Sequence, residues 1–149
     1  MAEAVIDIVG MDNLPVVVEL YNQIFRPARE IESFRRRYLG CYNVVQMIAR
    51  LKDKPVGIFL GFELKPSTYF AWFYGVLPEF RRMGIASQLM DAAHDWARQH
   101  DYESIRVECQ NSNRPLLHLF VALGYNIVGI RWDADRDDNL VIFEKSLAV

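Results

Sequence analysis

Residues 69–86 read Tyr-Phe-Ala-Trp-Phe-Tyr-Gly-Val-Leu-Pro-Glu-Phe-Arg-Arg-Met-Gly-Ile-Ala, an aromatic segment that leads into a turn. Aromatic residues at this density are typical of a β-strand. Gly75 interrupts the strand and Pro78 has no N–H to donate to a sheet, so we expect regular pairing to fail around residues 76–78. From Ile85 onward, apolar residues recur at helical spacing. The segment therefore predicts a strand, a turn and a helix in that order.

The turn places two cations and a glycine, Arg81, Arg82 and Gly84, where the helix begins. Backbone N–H groups in the first turn of a helix have no partner within the helix and carry partial positive charge, which favours a bound phosphate. A glycine lets the backbone approach a ligand without a Cβ in the way. The turn therefore indicates a nucleotide-phosphate site beside a broken strand. The alternative is an ordinary turn with exposed arginines.

The composition is typical of one globular domain. The chain has 149 residues, of which 52% are hydrophobic and 24% charged, which argues against disorder and against a coiled coil. A net charge of −2 argues against a nucleic-acid-binding protein, which usually has a basic surplus. Cys41 and Cys109 are isolated, so we expect no metal site, no disulfide framework and a reducing cytoplasm. Neither a signal peptide nor an apolar run of membrane-spanning length is evident, so we expect no membrane partner.

The other elements follow from hydrophobic spacing and turn residues. Besides the Tyr69 strand, we expect strands at residues 4–9, 44–51, 56–64, 104–110, 126–132 and 140–147. Helices are predicted from Pro15 to Ile24, over residues 30–39, from Ile85 to about His100 and from Arg114 to Gly124. The order β-α-α-β-β-β-α-β-α-β-β predicts an α/β fold, a single domain over residues 1–149. Its sheet is mixed, and the strand–helix–strand unit through Gly84 supplies one parallel pair.

Side-chain directions can also be predicted from these elements. If the hairpin before Tyr69 is tight, Glu63 lies opposite Phe70 on a shared face. Phe70, Trp72 and Tyr74 would lie on one face of their strand, either as an apolar acceptor slot or as sheet core. His94 falls among the polar residues of its helix, so we expect it at the surface.

Residues 81–86, Arg-Arg-Met-Gly-Ile-Ala, and residues 113–125, Asn-Arg-Pro-Leu-Leu-His-Leu-Phe-Val-Ala-Leu-Gly-Tyr, are two separated motifs. They resemble the GNAT superfamily of N-acetyltransferases, whose phosphate motif is Arg/Gln-x-x-Gly-x-Gly/Ala. Its second signature is an Asn followed by a short helix that ends in Tyr-x-x-x-Gly-Phe. Residues 107–113, Val-Glu-Cys-Gln-Asn-Ser-Asn, are similar to a common Leu-Glu-Val-Arg-x-Ser-Asn form of that family. The resemblance implies the GNAT fold, with helices on both faces of the sheet and a splayed pair of parallel strands.

The resemblance also implies that acetyl-CoA binds between the Tyr69 strand and the Ser104 strand, which would separate near Val76. The pantetheine arm would pair with backbone groups of the first strand, and the diphosphate would rest on the amides of the turn. The implied cofactor-binding residues are Val76, Leu77, Arg81, Arg82, Met83, Gly84, Ile85, Ala86, Ser87 and Asn113. An interrupted strand leaves unpaired donors and acceptors, which a ligand that contains amides can satisfy.

For catalysis, the resemblance implies direct attack of an amine on the thioester in a ternary complex. Family members usually place a Tyr to protonate the leaving sulfur, but that position is Phe120, which cannot donate a proton. Tyr74 and Tyr125 are nearby hydroxyls that could replace it. Glu108 matches the Glu that acts as base in members that modify protein N-termini, and a surface carboxylate is the alternative reading. Glu63 and a water relay are further options for the base.

The sequence does not identify the acceptor. The resemblance implies that residues 21–30 and the loop at residues 133–138 select it, because these segments flank the cleft in this fold. Four aspartates in that loop could attract a cationic amine, and a solvated turn is the alternative reading. The main hypothesis is an acetyl-CoA-dependent N-acetyltransferase acting on a small-molecule amine or a peptide N-terminus. The alternatives are a non-catalytic acyl-CoA-binding or sensing domain and a nucleotide-binding interaction module. Dimerisation through the final strands is common in the family, which makes a homodimer one option.

Overall fold

The computed structural model describes residues 2–148, over which the predicted order of helices and strands is confirmed. The strands are β1 (Val5–Val9), β2 (Val45–Leu51), β3 (Lys54–Lys65), β4 (Thr68–Val76), β5 (Ser104–Gln110), β6 (Asn126–Asp133) and β7 (Asp138–Ser146). The helices are α1 (Leu14–Ile24), α2 (Ile31–Tyr38), α3 (Ile85–Gln99) and α4 (Arg114–Ala122). Short 3-10 turns lie at Met11–Asn13 and Pro78–Phe80.

The strands form one mixed sheet in the order β1-β2-β3-β4-β5-β7-β6. Within the described residues, β4 and β5 are the one parallel pair, and the other neighbours are antiparallel. Helix α3 connects β4 to β5, as a parallel pair requires a crossover of this kind. The predicted mixed sheet with one parallel crossover is therefore confirmed.

Helices cover the sheet on both faces, and each face has its own apolar core. Helices α1 and α2 pack on one face, where Tyr21 and Phe34 lie in the same core as Leu60 of β3. Helices α3 and α4 pack on the other face, where Leu89 and Phe120 lie in the second core. Because successive strand residues point to opposite faces, β2 and β3 supply side chains to both cores.

The parallel pairing of β4 with β5 ends early. Their register runs from Thr68 opposite Ser104 to Ala71 opposite Val107. Beyond that point β4 continues to Val76 while it is paired only with β3 among the described strands. Gly75 does not interrupt β4, but the strand ends at Val76, so the expected failure of regular pairing around residues 76–78 is confirmed. What separates is the β4–β5 pair, and it does so five residues before the expected position near Val76.

A β-bulge changes the side-chain directions in β4. Leu60 is opposite Phe73 and Gly61 is opposite Ala71, so Trp72 is the additional residue. The bulge reverses the alternation of faces, and Tyr74 therefore points to the α3–α4 side, away from Phe70 and Trp72. The prediction that these three aromatic residues share a face is wrong.

The predicted pairing of Glu63 with Phe70 is also wrong. Glu63 is opposite Tyr69, one residue from the expected register. Its carboxylate accepts a hydrogen bond from the Tyr102 hydroxyl at 2.8 Å. Tyr69 lies where β4 and β5 are still paired, so Glu63 is far along the strand from the separated end.

His94 is buried, although its polar neighbours predicted a surface position. Its side chain is 4% exposed, and its Nε2 lies 2.5 Å from the hydroxyl of Tyr125. Burial, together with the nearby charges of Lys145 and Arg98, lowers the pKa of His94 from 6.5 to about 4. The imidazole is therefore neutral at neutral pH and links α3 to the segment that follows α4.

Candidate functional site

A cavity of about 690 Å³ lies beside the separated end of β4. Its walls come from the end of α1, the end of β4, the start of α3 and the start of α4. Eight of the ten predicted cofactor residues line it, namely Val76, Arg81, Arg82, Gly84, Ile85, Ala86, Ser87 and Asn113. The predicted site is thus brought together around one cavity.

Residues 81–87, here called the phosphate turn, have an unusual backbone. Arg82 has φ of 63° and Gly84 has φ of 79°, both in the left-handed region. This conformation costs little at a glycine, and it places Gly84 as the residue directly before α3. The amides of Ile85, Ala86 and Ser87 then belong to the first turn of the helix, whose N–H groups have no partner within it. Backbone geometry of this kind suits an anion.

The backbone at the end of β4 offers one of the two predicted pairing sites. The N–H of Leu77 donates to the carbonyl of Val56 at 2.8 Å, so the prediction that it is free for a ligand is wrong. Adjacent residues in an antiparallel strand direct their backbone groups to opposite sides. Val76 therefore directs its N–H and C=O away from β3, and its carbonyl accepts a hydrogen bond from Nε of Arg81 at 3.1 Å.

Met83 and Asn113 have roles within the protein as well. The Met83 side chain packs partly against the α3–α4 core, and its carbonyl accepts a hydrogen bond from the Ala2 N–H at 3.2 Å. Oδ1 of Asn113 accepts from the N–H of Leu116 at 3.3 Å and caps α4. The amide NH₂ of Asn113 is then the group of this side chain that could donate to a ligand in the cavity.

Gln88 supports the phosphate turn and was not predicted to do so. Its Oε1 accepts from the N–H of Ala4 at 2.8 Å, and its Nε2 donates to the carbonyl of Ala2 at 2.7 Å. Nε2 also lies 3.2 Å from the carbonyl of Gly84. One side chain therefore ties the N-terminal segment to the turn. Partners more than 80 residues apart along the chain cannot be found from local spacing.

Tyr74, one of the predicted catalytic hydroxyls, lines the cavity. Its hydroxyl donates to the backbone carbonyl of Glu108 at 2.7 Å, so the side chain spans the gap between β4 and β5. Its ring meets Phe120 edge-on, with centroids 5.4 Å apart. Burial raises the pKa of Tyr74, and the nearby Cys109 adds to the shift. The phenol therefore stays protonated and acts as a hydrogen-bond donor.

Tyr125, the second predicted hydroxyl, lies in the α3–α4 core rather than among the residues that line the cavity. It is 5% exposed, and its hydroxyl faces His94. Burial raises its pKa. The Tyr125 ring packs edge-on against Phe120, which is fully buried. The geometry gives both residues a packing role.

Glu108, the predicted base, lies on the face of β5 opposite the buried residues Val107 and Cys109. Its Oε1 accepts a hydrogen bond from Arg131 of β6 at 2.9 Å, and its side chain is 23% exposed. The hydrogen bond from Tyr74 to its carbonyl places Glu108 at the separated end of the strands. A carboxylate that is partly exposed at this position can accept a proton from an amine.

The acidic loop at residues 133–138 is largely a structured turn. One carboxylate oxygen of Asp138 accepts from the N–H of Ser112 at 3.1 Å and from its hydroxyl at 2.7 Å. The Ser112 hydroxyl is the main cause of the lowered pKa of Asp138. Asp133 accepts from the N–H of Asp135 at 3.2 Å. The bonds of Asp138 therefore join this loop to Ser112, which lies before α4, and the bond of Asp133 is internal to the loop.

Two general properties of residues 2–148 bear on function. In this part of the chain, His, Cys, Asp and Glu side chains form no group of three or more that could hold a metal ion. The helices described here include none with the length and apolar character needed to cross a membrane.

The comparison with protein families defines the class. The model of the acetyltransferase (GNAT) family matches residues 14–125, which is most of the chain. The chain therefore belongs to the acetyltransferase (GNAT) family, as the motifs at residues 81–86 and 113–125 predicted. Among curated proteins, none matches the sequence.

Solved structures of several acetyltransferases share the fold. The ribosomal-protein-S18-alanine N-acetyltransferase from Escherichia coli has a TM-score of 0.85 at 14% identity, over 99% of this chain and 96% of that one. Ard1 from Thermoplasma volcanium has a TM-score of 0.81 at 18% identity, with 98% and 99% covered. A GNAT family acetyltransferase from Elizabethkingia anophelis with acetyl-CoA bound has a TM-score of 0.81 at 16% identity, with 96% and 97% covered. At these identities the likeness shows the GNAT fold.

Proposed function

We propose that this acetyltransferase transfers the acetyl group of acetyl-CoA to a primary amine, either of a small molecule or at a peptide N-terminus. The single observation that carries the proposal is the gap between β4 and β5, with the phosphate turn at one side of it and Glu108 at the other. The CoA that carries the thioester would lie in the cavity, and the amine would approach the thioester from the opposite face of the sheet.

The residues of the cavity fit the donor. The amides of the phosphate turn and the Arg82 guanidinium would bind the diphosphate. The free N–H of Val76 and the side-chain NH₂ of Asn113 would bind the amides of the pantetheine arm. Acetyl-CoA supplies the activated acetyl group, and the chain supplies its alignment. Alignment of two reactants in one complex contributes about 7–11 kcal/mol.

In the proposed reaction, the amine nitrogen attacks the thioester carbonyl while its proton passes to Glu108. The C–N bond forms, the C–S bond breaks, and CoA leaves as the thiolate. Arg131 orients the Glu108 carboxylate through its hydrogen bond at 2.9 Å. Tyr74, whose pKa is raised by burial, would donate a hydrogen bond to the sulfur in exchange for its bond to the Glu108 carbonyl. It would thereby replace the tyrosine that is absent at Phe120.

A peptide N-terminus is one of the two acceptor classes. The E. coli protein with the same fold acts, by its name, on an alanine of ribosomal protein S18. The face of the sheet around Glu108 carries a second ion pair, Arg106 with Glu144. Partly buried aromatic residues, Phe70 and Trp72, lie on the same face of the neighbouring strand. Charged and aromatic side chains together could hold a peptide backbone and its first side chains.

An acceptor screen tests the proposal. Release of the CoA thiol is followed with acetyl-CoA, a set of short peptides with free N-termini, the same peptides with blocked N-termini, and small amines. We expect turnover with at least one free amine and none with the blocked peptides. Binding of CoA with no turnover across the whole panel would favour the alternative, a non-catalytic acyl-CoA-binding or sensing domain, for which Phe120 is the motivating residue.

A homodimer is part of the proposal, through the edge strand β6. Ile127, Ile130 and Trp132 are 56% to 66% exposed there, and an apolar edge strand favours pairing with a second copy. Light scattering should give a dimer for the wild-type protein and a monomer for Ile130→Lys. A monomer in both cases would remove this part of the proposal.

A reducing cytoplasm is the proposed compartment. Both described cysteines are free thiols, Cys41 at intermediate exposure and Cys109 buried. Fractionation of the native host would test this placement, and recovery outside the cytoplasm would contradict it.

A further inference from the structure

Ile24 and Phe25, at the end of α1, form one wall of the cavity. A Cβ at Gly75 would lie 2.8 Å from both Cγ2 of Ile24 and Cζ of Phe25, so these side chains press directly on the backbone of β4. From the phosphate turn the cavity continues back along β4 to Gly75 and Tyr74. The two side chains therefore lie beside Gly75, next to Tyr74 in β4.

This wall is held firmly in place. The N–H of Phe25 donates to the carbonyl of Tyr21 at 2.8 Å. The Phe25 ring lies 4.8 Å from the ring of Tyr21 and 5.5 Å from that of Phe73, measured between centroids. Displacing close-packed side chains of this kind to make room for additional atoms costs free energy.

The segment after Phe25 is also fixed. Oδ1 of Asn22 accepts from the N–H of Arg29 at 2.8 Å, and Nδ2 of Asn22 donates to the carbonyl of Arg29 at 3.0 Å. These two bonds close residues 22–29 into a loop. Arg29 also lies over the Phe73 ring, with its Cζ 5.2 Å from the centroid. Hydrogen bonds therefore hold the chain in place both before and after Phe25.

We infer that Phe25 is a specificity-determining residue that limits the acyl group of the donor to a short chain. The inference rests on the proposed function, because it requires an acyl-CoA whose diphosphate lies on the phosphate turn. The pantetheine arm along Val76 then brings the thioester to Tyr74 and Gly75, where the Phe25 ring faces it. An acetyl group ends there, and each further methylene must displace the ring. Gly75 serves this arrangement, since any side chain at that position would push Phe25 away.

Binding of a series of acyl-CoA compounds tests the inference. Calorimetry measures the affinities of CoA, acetyl-CoA, butyryl-CoA and hexanoyl-CoA for the wild-type protein and for Phe25→Ala. One methylene can change discrimination by roughly 10–200-fold. We therefore expect wild-type protein to bind hexanoyl-CoA at least about tenfold more weakly than acetyl-CoA. Phe25→Ala should bring the two affinities within about threefold of each other.

Two further variants make the test specific. Phe25→Leu keeps most of the packing and should reduce the difference in affinity between acetyl-CoA and butyryl-CoA relative to wild-type protein, which covers the case in which Phe25→Ala does not fold. Phe34→Leu is the matched control, because Phe34 is fully buried against Tyr21, with ring centroids 5.1 Å apart, but lies in the core rather than in the cavity lining. It should lower stability and leave the acyl preference unchanged.

The outcomes separate the inference from the proposed function. If wild-type protein binds hexanoyl-CoA as well as acetyl-CoA, or if both Phe25 variants retain the wild-type preference, the inference is wrong and the proposed function stands. If neither CoA nor acetyl-CoA binds, the proposed function fails and the inference fails with it. A loss of preference in Phe34→Leu equal to that in Phe25→Ala would also overturn the inference, because general loosening would then explain both.

Discussion

The two ends of the β4–β5 pair differ in how the two strands are hydrogen-bonded to each other. At the paired end, from Thr68 to Ala71, backbone groups bond across the parallel pair, and the Thr68 hydroxyl lies 3.0 Å from that of Ser104. At the separated end, beyond Ala71, the Tyr74 hydroxyl bonds to the Glu108 carbonyl across the gap. The same two strands thus pair their backbone donors and acceptors with each other at one end and leave backbone groups for a ligand at the other.

This difference shows how a sheet can hold a site without losing its stability. The paired end and the antiparallel pairing of β3 with β4 keep β4 in place. Unpaired backbone groups at the separated end would be costly if they were buried without a partner, but there they border a cavity. We therefore expect changes at the separated end to alter activity or binding and changes at the paired end to alter stability.

The largest expected effect is on turnover, at Glu108. Glu108→Gln keeps the shape and the hydrogen bond from Arg131 but cannot accept the proton of the amine. General acid–base catalysis typically contributes about 10²–10⁴-fold. We expect kcat to fall by a factor within that range, while the affinity for CoA, measured by calorimetry, stays the same.

The matched control for Glu108 is Glu144→Gln. Glu144 of β7 is paired with Arg106 on the same face of the sheet, and its side chain is similarly exposed at 26%. We expect Glu144→Gln to retain most of the turnover. Equal losses in the two variants would mean that the charge of this sheet face matters, and that Glu108 is not the base.

The next effect concerns stability, through the contact by which His94 of α3 meets Tyr125 in the segment after α4. The pKa of His94 is about 4 in the folded protein and 6.5 ordinarily. Below pH 6.5 the unfolded chain binds a proton at His94 that the folded protein does not bind until about pH 4. Its contribution to stability is therefore present above pH 6.5 and lost as the pH falls, by about 3 kcal/mol in all.

Urea unfolding from pH 7 to pH 4 measures this contribution. The free energy of unfolding should fall more steeply with decreasing pH for wild-type protein than for His94→Gln. Glutamine can still accept the Tyr125 hydroxyl hydrogen bond but does not titrate. Parallel curves for the two proteins would show that His94 is protonated in the fold as readily as in the unfolded chain.

The third effect is on donor binding at the phosphate turn. Gly84→Ala forces an alanine into a left-handed conformation, which costs about 1–2 kcal/mol. A turn that relaxes to avoid this strain loses its amide geometry, so we expect the affinity for CoA to fall about tenfold in a calorimetric titration.

Gly40→Ala is the corresponding control for strain alone. Gly40 has φ of 75°, and a Cβ there would meet no atom within 4 Å. Both variants should lose stability to a similar degree, and only Gly84→Ala should weaken CoA binding. A similar loss of affinity in Gly40→Ala would show that strain anywhere in the fold is enough.

Local sequence was sufficient to predict the elements and the phosphate turn but not the side-chain directions around the site. The order of helices and strands follows from spacing and turn residues, and the expected helix start after Arg81, Arg82 and Gly84 is where α3 begins. The face of Tyr74 depends on the bulge at Trp72, which is a feature of the pairing between β3 and β4 and not of the β4 sequence alone. The burial of His94 depends on Tyr125, which is 31 positions away in the sequence.

The smallest effect should come from the paired end. Thr68→Val keeps the shape of a side chain that is 2% exposed but removes the hydroxyl that meets Ser104. A hydrogen bond of this kind contributes about 0.5–1.5 kcal/mol, so urea unfolding should show a loss in that range. The affinity for CoA should not change, because Ala71 and Val107 still hold the strands at the point where they begin to separate. A weaker affinity in Thr68→Val would mean that pairing at one end sets the width of the gap at the other, and the two ends would have to be treated as one unit.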